Sequence, residues 1–511
     1  MLPPLLPSHP FLLLAAFLFF TGSFLLLLHL KPTQGRRKQP PGPPGWPVIG
    51  NLHLLGTLPH RSLQSLAKRY GPIMSLRLGQ VPAVVLSSPE AAEPFLKTHD
   101  VVFASRPKTE ASEVLSYGSK GMAFSEYGPY WRNVRKLLTL QLLSASKVEM
   151  FSPIRREELV EAVEAIKKSA AAREVVDVSE NVGEVIEGMI YRMILGRKRD
   201  DRFDVKRIVQ ETLTLAGAFN IVDFLPFLRP FDIQGIRKRI VKNSKEVDEM
   251  LETFIEEHQE AQAVLQKKEH KDIVDILLSC LQDSHHDEHN PVKDRTNIKA
   301  LLLDLLAGAI DTSVNVTLWV FSELLKNPRV MKKLQHELEN IVGKTRLVDE
   351  VDLPRLTYLD MVIKETFRLH PVAPLLLPRV STEDITVNGY HIRNKSRVIV
   401  NVWAIGRDPK VWSDNVEAFY PERFVNSNVD LRGKDFQLIP FGSGRRGCPG
   451  MQLGLIAVKF VIAQLMHCFK WELPSGISPD ELDMAENFGL LLPRASHLLA
   501  LPSYCLAVNE T

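Results

Sequence analysis

The 511-residue chain contains only four cysteines, Cys280, Cys448, Cys468 and Cys505, and they form no C-x-x-C pair. So sparse a set excludes a disulfide framework and is typical of a reducing compartment. The formal net charge is only +3, so the basic surplus of nucleic-acid-binding proteins is missing. An apolar share of 45% with 24% charged residues excludes wholesale disorder. The sequence therefore predicts a folded protein in which a lone cysteine can persist as a free thiolate.

The N-terminal ten residues contain no Lys or Arg, and the uncharged segment Phe11–Leu30 follows them. At 1.5 Å per helical residue such a segment spans the hydrocarbon core of a bilayer, roughly 30 Å. A cleaved signal peptide is the alternative, but its apolar run is usually shorter and begins after a basic region. Basic residues after the run place the rest of the chain in the cytosol. We expect a single-pass membrane anchor over residues 1–30.

A basic and proline-rich hinge is predicted over residues 31–50, because Pro40–Pro47 can join neither a helix nor a central strand. Residues 51–511 contain no repeat and no comparable linker, so we expect one large domain. Strands are few and helices many, which predicts a mainly α fold with a small β region. The predicted elements are a strand pair at 73–78 and 83–86, helices at 234–267 and 301–325, and a hairpin at 385–392.

Three histidines, His285, His286 and His289, lie close together in the segment Asp283–His289. The cluster could bind a metal ion, but composition alone is weak support for a metal site. Because the segment is acidic and polar, we interpret it as a solvated loop between two helices.

The segment Phe441–Gly450 contains four glycines and the cysteine Cys448, and a predicted helix follows from Met451 to Cys468. Glycines at this density indicate a tightly folded backbone that a large group approaches closely. A cysteine just ahead of a helix N-terminus is stabilised as a thiolate by the helix dipole and free N–H groups. The alternative is a buried structural cysteine, which is the common fate of an isolated one.

The same ten residues decide between the two, because they resemble the haem-binding signature F-x-x-G-x-R-x-C-x-G of the cytochromes P-450 at all five fixed positions. The resemblance implies a mainly α haem-thiolate fold with a long central helix and a small β-rich region, preceded by one N-terminal transmembrane helix. It implies haem b as cofactor, with Cys448 as the iron ligand. It also implies that Phe441 packs on the sulfur side of the haem and that Arg446 pairs with a propionate.

Further motifs follow in the order of the same family. Trp131 and Arg135, spaced as W-x-x-x-R, and Arg379 match propionate contacts, although an arginine on its own could be a surface cation. The E-x-x-R pair of Glu365 and Arg368, with Arg423 in the P-E-R-F segment, implies a buried structural ion network. Glu365, Arg368 and Arg423 have a structural role and no catalytic role in this interpretation.

Residues 306–313 resemble the oxygen-activating motif of the family, with Ala309 in place of its usual glycine. Small side chains at Gly308 and Ala309 would let the helix approach the iron and open locally. Asp311 and Thr312 are the predicted catalytic residues, which deliver protons during O2 activation. The alternatives are a capping-type Asp-Thr pair and a threonine that bonds back to its own helix.

The predicted substrate pocket comprises Gly308, Ala309, Val372, Leu376 and Leu491. Two uncharged runs, 372–377 and 489–492, favour a small apolar substrate over an acid or a sugar. The resemblance is to plant microsomal members, which implies a specialised metabolite and the endoplasmic reticulum membrane, with the catalytic domain facing the cytosol. Leucine-rich walls favour a terpenoid over a phenolic.

Electrons are expected from NADPH through a separate cytochrome reductase, because the chain contains no dinucleotide fingerprint in a strand–helix context. The acidic reductase could dock on a basic patch, or the same charges could only aid solubility. The residues of this candidate patch are Arg132, Lys136, Arg445 and Lys459. Two other functions stay open at this stage, an O2-independent haem-thiolate isomerase or dehydratase and a non-catalytic haem-binding sensor. The Asp311–Thr312 pair favours the monooxygenase.

Overall fold

The computed structural model describes residues 18–19, 21–22, 38–198, 202–264, 271–283, 287–413 and 415–507. Its α-helices are α1 (Pro59–Tyr70), α2 (Pro89–Glu93), α3 (Glu110–Leu115), α4 (Pro129–Leu137), α5 (Ala145–Met150), α6 (Ser152–Ala172), α7 (Val178–Leu195), α8 (Val205–Gly217), α9 (Ile236–Val264), α10 (Ile273–Asp283), α11 (Arg295–Lys326), α12 (Pro328–Val342), α13 (Thr357–Leu369), α14 (Val402–Ile405), α15 (Pro409–Trp412) and α16 (Met451–Cys468). Its strands are β1 (Ile73–Leu78), β2 (Val81–Leu86), β3 (Val176–Asp177), β4 (Arg379–Val380), β5 (Ile385–Val387), β6 (Tyr390–Ile392), β7 (Arg397–Val400), β8 (Phe469–Glu472) and β9 (Leu499–Tyr504).

Helix α11 runs through the middle of the domain and packs against α7, α8, α13 and α16. It begins at a capping box, in which the Asp294 side chain accepts from the Asn297 N–H and Asn297 bonds back. Its apolar residues are buried nearly all round, as expected of a helix enclosed by others. The prediction of a long buried central helix is confirmed, and the helix extends six residues further towards the N-terminus than predicted, to Arg295.

The small β region contains a four-stranded sheet with the order β1–β2–β7–β4. Strands β1 and β2 pair antiparallel, with Leu78 opposite Val81, and β2 pairs parallel with β7. A second sheet has the order β3–β9–β8, and β5 and β6 form a separate hairpin. At its turn Asn388 and Gly389 both have positive φ, 50° and 77°, as a tight hairpin turn requires. Both predicted strand pairs are therefore confirmed.

The proline-rich segment lies along β1. The Ser75 N–H donates to the carbonyl of Pro41 and its hydroxyl to that of Pro40, while Asn51 reaches the carbonyls of Pro43 and Pro44. The C-terminal part of the predicted hinge is thus bonded to the sheet.

Membrane-spanning length and apolarity are found in two of the described helices, α11 and α16. Each is mostly enclosed by the rest of the fold, with 61% and 67% of its apolar window buried. Both are therefore helices of the core. The predicted anchor lies outside the described residues apart from Leu18, Phe19, Thr21 and Gly22.

The histidine cluster also lies partly outside the described residues, since His285 and His286 are not among them. His289 is exposed, and its N–H bonds to the side chain of Asp287 in a turn.

Candidate active site

A cavity of about 360 Å³ lies between α11 and the loop that contains Cys448. Its lining is mainly apolar, which is usual for sites that bind small molecules. The walls come from residues 122–124, helices α7, α8 and α11, residues 372–379, the loop 440–450 with the start of α16, and Leu490 with Leu491.

The cysteine loop is held by a hydrogen bond from the Cys448 N–H to the carbonyl of Phe441, 2.8 Å long. Glycine is required at position 444, where φ is 67° and a Cβ atom would lie 2.3 Å from the carbonyl oxygen of Leu96. This tight path places the Cys448 side chain at the cavity wall. Phe441 also lines the cavity, and its ring packs edge-on against Phe367.

The Cys448 thiol is exposed to the cavity and lies deep inside the protein. Burial raises the pKa of this thiol, while the Gly450 N–H and the charge of Arg135 oppose the rise. A cysteine whose pKa is raised ionises when a metal ion binds its sulfur. The environment therefore suits a sulfur that becomes a thiolate by binding a metal.

Four arginines converge beside Cys448. Arg106, Arg379 and Arg446 line the cavity, and Arg135 donates to the carbonyl of Gly447 at 2.6 Å. Burial lowers the pKa of all four, and the charge of Arg379 lowers the pKa of Arg106 and Arg446 further. The pKa of Arg446 falls to about 9. Such mutual repulsion is costly unless an anion binds among the cations.

The hydrogen bonds of the cluster leave donors for that anion. Arg446 donates to the carbonyls of Ala104, Met122 and Ser125, at 2.6, 3.1 and 2.5 Å. Three of the roughly five N–H groups of a guanidinium are thus used. The guanidinium of Arg446 also stacks 4.4 Å above the ring of Trp131, whose indole N–H donates to Met122 as well. Of the predicted propionate contacts, Trp131, Arg379 and Arg446 therefore line the cavity together. Arg135 lies beside them, bonded to the carbonyl of Gly447.

Arg379 contacts the one carboxylate paired with this cluster among the described residues. It donates to Asp100 at 2.8 Å and to the carbonyl of Ser443 at 2.6 Å. Arg106 was missed in the sequence analysis; it donates to the carbonyls of Ala123, Leu377 and Pro378. The available signal was a charged residue close behind the apolar run 101–104. A thiol with several buried cations fits haem b, whose iron needs a ligand and whose two propionates are anionic.

Helix α11 passes the cavity at Gly308, Ala309 and Thr312. The predicted local opening is wrong, since the helix is continuous from Arg295 to Lys326. The Thr312 hydroxyl donates to the carbonyl of Gly308 at 2.7 Å. This is the alternative given in the sequence analysis, in which Thr312 bonds back to its own helix. Because the proton of Thr312 is engaged, its oxygen faces the cavity as an acceptor.

Asp311 does not line the cavity and points to the neighbouring helices. Burial raises its pKa to about 6; a hydrogen bond with Gln210 and the charge of Lys206 oppose the rise, and Glu187 adds to it. These three residues on α7 and α8 were missed in the sequence analysis, where no motif marks them. The two predicted catalytic residues thus lie on different sides of α11.

Comparison with known proteins decides the family. The sequence model of the family described as Cytochrome P-450 matches residues 40–500. The chain belongs to the cytochrome P-450 family. Cytochrome P-450 CYP736A12 of Panax ginseng is 56% identical over 486 residues, which cover 95% of this chain and 97% of the relative. Cytochrome P-450 71A1 of Persea americana is 45% identical, with coverages of 86% and 88%.

Two relatives with named activities and one solved structure also match most of the chain. Salviol synthase of Salvia pomifera is 41% identical, covering 94% of this chain and 95% of the relative. Phenylacetaldehyde oxime monooxygenase CYP71AN24 of Prunus mume is 42% identical, covering 97% and 94%. A zebrafish cytochrome P-450 solved with progesterone has a TM-score of 0.73 at 25% identity, covering 87% of this chain and 99% of that one.

Membership in the cytochrome P-450 family makes this protein a monooxygenase with thiolate-ligated haem b and electrons supplied by a redox partner. The fold predicted for the catalytic domain is confirmed by the same structural neighbour. Plant origin of the relatives supports a plant microsomal cytochrome P-450.

The predicted ion network of this cytochrome P-450 centres on Glu365. Arg368 binds both carboxylate oxygens of Glu365 at 2.7 and 2.8 Å, and Arg423 binds the same carboxylate at 2.9 and 3.0 Å. Glu365 and Arg368 are fully buried, and Arg368 also donates to the carbonyls of Gly406 and Val416. The three residues thus tie α13 to the segments before the cysteine loop.

All five predicted pocket residues line the cavity, but the lining extends beyond them. Helix α8 contributes Thr212, Leu213 and Ala216, whereas Phe224, further along the chain, packs under Arg397 outside the cavity. The missed residues of the wall include Ile190, Met193, Ile194 and Asp304. Asp304 is a carboxylate in the mainly apolar wall, and burial raises its pKa to about 6.

The predicted basic patch is only partly available to a partner. Arg445 pairs with Asp100 at 3.1 Å and Lys459 pairs with Asp360. Arg132 and Lys136 are exposed on α4, the helix whose Arg135 contacts the cysteine loop.

Proposed function

We propose that this cytochrome P-450 hydroxylates a small apolar specialised metabolite, with Cys448 as the haem iron ligand and with electrons from NADPH through a separate cytochrome reductase. The observation that carries the proposal is the single cavity that joins the Cys448 thiol, the buried arginines and the polar groups of α11 in an otherwise apolar wall. One oxygen atom of O2 enters a C–H bond of the substrate. The other leaves as water with two protons and two electrons.

The haem, when bound, supplies O2 activation, and its thiolate ligand pushes electron density onto the iron. Arg446, Arg379, Arg135, Arg106 and Trp131 would hold the propionate side by charge and hydrogen bonds. Phe441 would pack on the sulfur side.

Thr312 would hold a water molecule through its oxygen, because its own proton is bonded to Gly308. Asp311 would accept protons from the direction of α7 and α8 and pass them towards that water.

Apolar side chains of the cavity favour a substrate without charge. Val372, Leu376 and Leu491 would contact it, with Ala309 narrowing the space above the haem. We prefer a terpenoid to a phenolic because the walls present branched aliphatic side chains. The proposal is also supported by two plant relatives, named as a salviol synthase and a phenylacetaldehyde oxime monooxygenase.

A membrane location is also part of the proposal. We propose that residues 1–30 anchor the protein in the endoplasmic reticulum with its catalytic domain in the cytosol. The plant relatives support this location. Deleting residues 1–30 should move the protein from the microsomal to the soluble fraction. If the truncated protein stayed in the microsomes after alkaline carbonate washing, residues 1–30 would not be the sole anchor.

The central test is the reduced, carbon-monoxide-bound absorption spectrum of the full chain beside Cys448→Ser. A long-wavelength Soret band in the wild type that is lost in the variant is expected of thiolate ligation. An ordinary haem band that is identical in both proteins would contradict the assignment of Cys448. Turnover of terpene and phenol panels with reductase, NADPH and heavy O2 then tests the reaction, because one labelled oxygen atom should appear in the product.

A further inference from the structure

Asp304 forms a bridge between the central helix and the loop before α4. One oxygen of its carboxylate, Oδ2, accepts the N–H groups of Met122 and Ala123, at 2.5 and 3.0 Å. The residue lies four positions before Gly308 on α11, which is roughly 6 Å along the helix axis. A buried carboxylate in an apolar wall is costly, and these two bonds offset part of that cost.

The loop bonded to Asp304 also holds the arginines. The carbonyl of Met122 accepts from Arg446 and from the indole N–H of Trp131, both at 3.1 Å. The carbonyl of Ala123 accepts from Arg106 at 3.0 Å. Both N–H groups of this two-residue segment therefore bond to an anion, and both of its carbonyls bond to cations.

A single peptide group connects the anion with Arg446. The N–H of Ala123 and the C=O of Met122 belong to the same planar amide. A negative charge at its N–H end and a positive charge at its C=O end polarise the amide in the same direction, so each hydrogen bond strengthens the other. The two hydrogen bonds thereby connect Asp304 with a guanidinium that it does not touch.

We propose that Asp304 is a positioning residue for the haem-binding arginines: by clamping residues 122 and 123 it aims their carbonyls at Arg446 and Arg106. The inference rests on the proposed function, in which these arginines hold the propionates.

Gly121 provides an independent observation on the same clamp. A Cβ atom at this position would lie 2.4 Å from Oδ2 of Asp304. Any side chain here would push the carboxylate away from the N–H groups of Met122 and Ala123. The constraint at this position thus comes from the close approach of the carboxylate rather than from a special φ angle.

The test compares haem-loaded wild type with Asp304→Ala, Asp304→Asn and Gly121→Ala. Haem transfer to excess apomyoglobin gives the release rate, and hydrogen exchange of the peptide around residues 119–126 reports the clamp. Asp304→Ala and Gly121→Ala should release haem about tenfold faster or more, which corresponds to about 1.4 kcal/mol. Asp304→Asn should have a smaller effect, because its amide oxygen accepts both N–H groups but carries no charge.

A matched control is Asp232→Asn, because Asp232 also accepts two consecutive N–H groups, those of Arg237 and Lys238, outside the cavity wall. It should leave the release rate unchanged. Wild-type release and exchange in Asp304→Ala would overturn the inference; if that variant does not fold, wild-type behaviour of Asp304→Asn and Gly121→Ala would do so. Absence of the long-wavelength Soret band from the reduced, carbon-monoxide-bound wild-type protein would instead overturn the proposed function.

Discussion

The hydroxyl of Thr312 and the carbonyl of Gly308 are joined by a 2.7 Å hydrogen bond on the cavity side of the central helix. This bond fixes the direction of the hydroxyl proton and leaves the oxygen lone pairs towards the cavity. A side chain that looks like a proton donor in the sequence is therefore an acceptor in the fold. Under the proposed function, its contribution to catalysis would be to orient a water molecule.

Substitutions at Thr312 should distinguish the effect of the hydroxyl on catalysis from the effect of the side-chain shape. Thr312→Val keeps the shape and removes the acceptor, so product formed per NADPH consumed should fall on the order of tenfold or more. Thr312→Ser keeps the hydroxyl and should stay close to wild type. Oxygen uptake, hydrogen peroxide and product are measured together. Equal coupling in the Val and Ser variants would show that the hydroxyl has no role.

The carboxyl group of Asp311 should produce a pH dependence. Burial raises its pKa to about 6, so the protonated form that donates a proton becomes scarce as the pH rises through 6. The proton-dependent part of kcat should therefore fall above pH 6 in the wild type. Asp311→Asn should lose this inflection and about 10²-fold in rate. The measurement is kcat from pH 5.5 to 8.5 in H2O and D2O; an unchanged profile in the variant would contradict the assignment.

Arg106 should contribute to haem affinity, although it belongs to none of the sequence motifs. Burial at the cavity wall lowers the pKa of Arg106, and the charges of Arg446 and Arg379 lower it further. Arg106→Met removes one cation opposite the propionates and should weaken haem binding about tenfold, a loss of about 1.4 kcal/mol. Arg132→Met, at an exposed position, is the control and should bind haem as wild type. Haem titration of the apoproteins followed at the Soret band measures both.

Stability in acid should depend on Glu422 in the P-E-R-F segment. Hydrogen bonds from Arg329, together with those from Lys333 and Tyr358, outweigh burial and lower the pKa of Glu422 to about 2. Because the folded-state pKa lies below the usual 4.5, this contribution to stability is complete above pH 4.5 and is lost as the pH falls towards 2. After allowance for solvent screening it amounts to about 1 to 2 kcal/mol.

Urea unfolding of wild type and Glu422→Gln at several pH values measures this contribution. The two midpoints should differ at pH 7, and the difference should be smaller at pH 3, where part of the contribution is already lost. Glu339→Gln removes an exposed ion pair with Lys344 and should have no measurable effect at either pH. A difference for Glu422→Gln that does not depend on pH would mean that its charge is not the cause.

The sequence by itself determined the parts of this protein that depend on local pattern. The spacing of Phe441, Arg446 and Cys448 indicated the cysteine loop, and helix α16 has the predicted bounds Met451–Cys468. The pair Asn388-Gly389 predicted the hairpin of β5 and β6, because both turn residues need a positive φ and few residue types other than Asn and Gly tolerate one. The E-x-x-R spacing placed Glu365 and Arg368 on one helical face, where they pair.

Only the tertiary structure decided what meets across the cavity. Arg106 and Asp304 carry no motif, and each matters because of segments that are distant in sequence: residues 377–378 for Arg106 and 122–123 for Asp304. The direction of the Asp311 side chain and the bond of the Thr312 hydroxyl likewise depend on packing against α7, α8 and the cavity. Hydrogen-bond partners and burial are properties of the assembled fold, so spacing along one chain does not specify them.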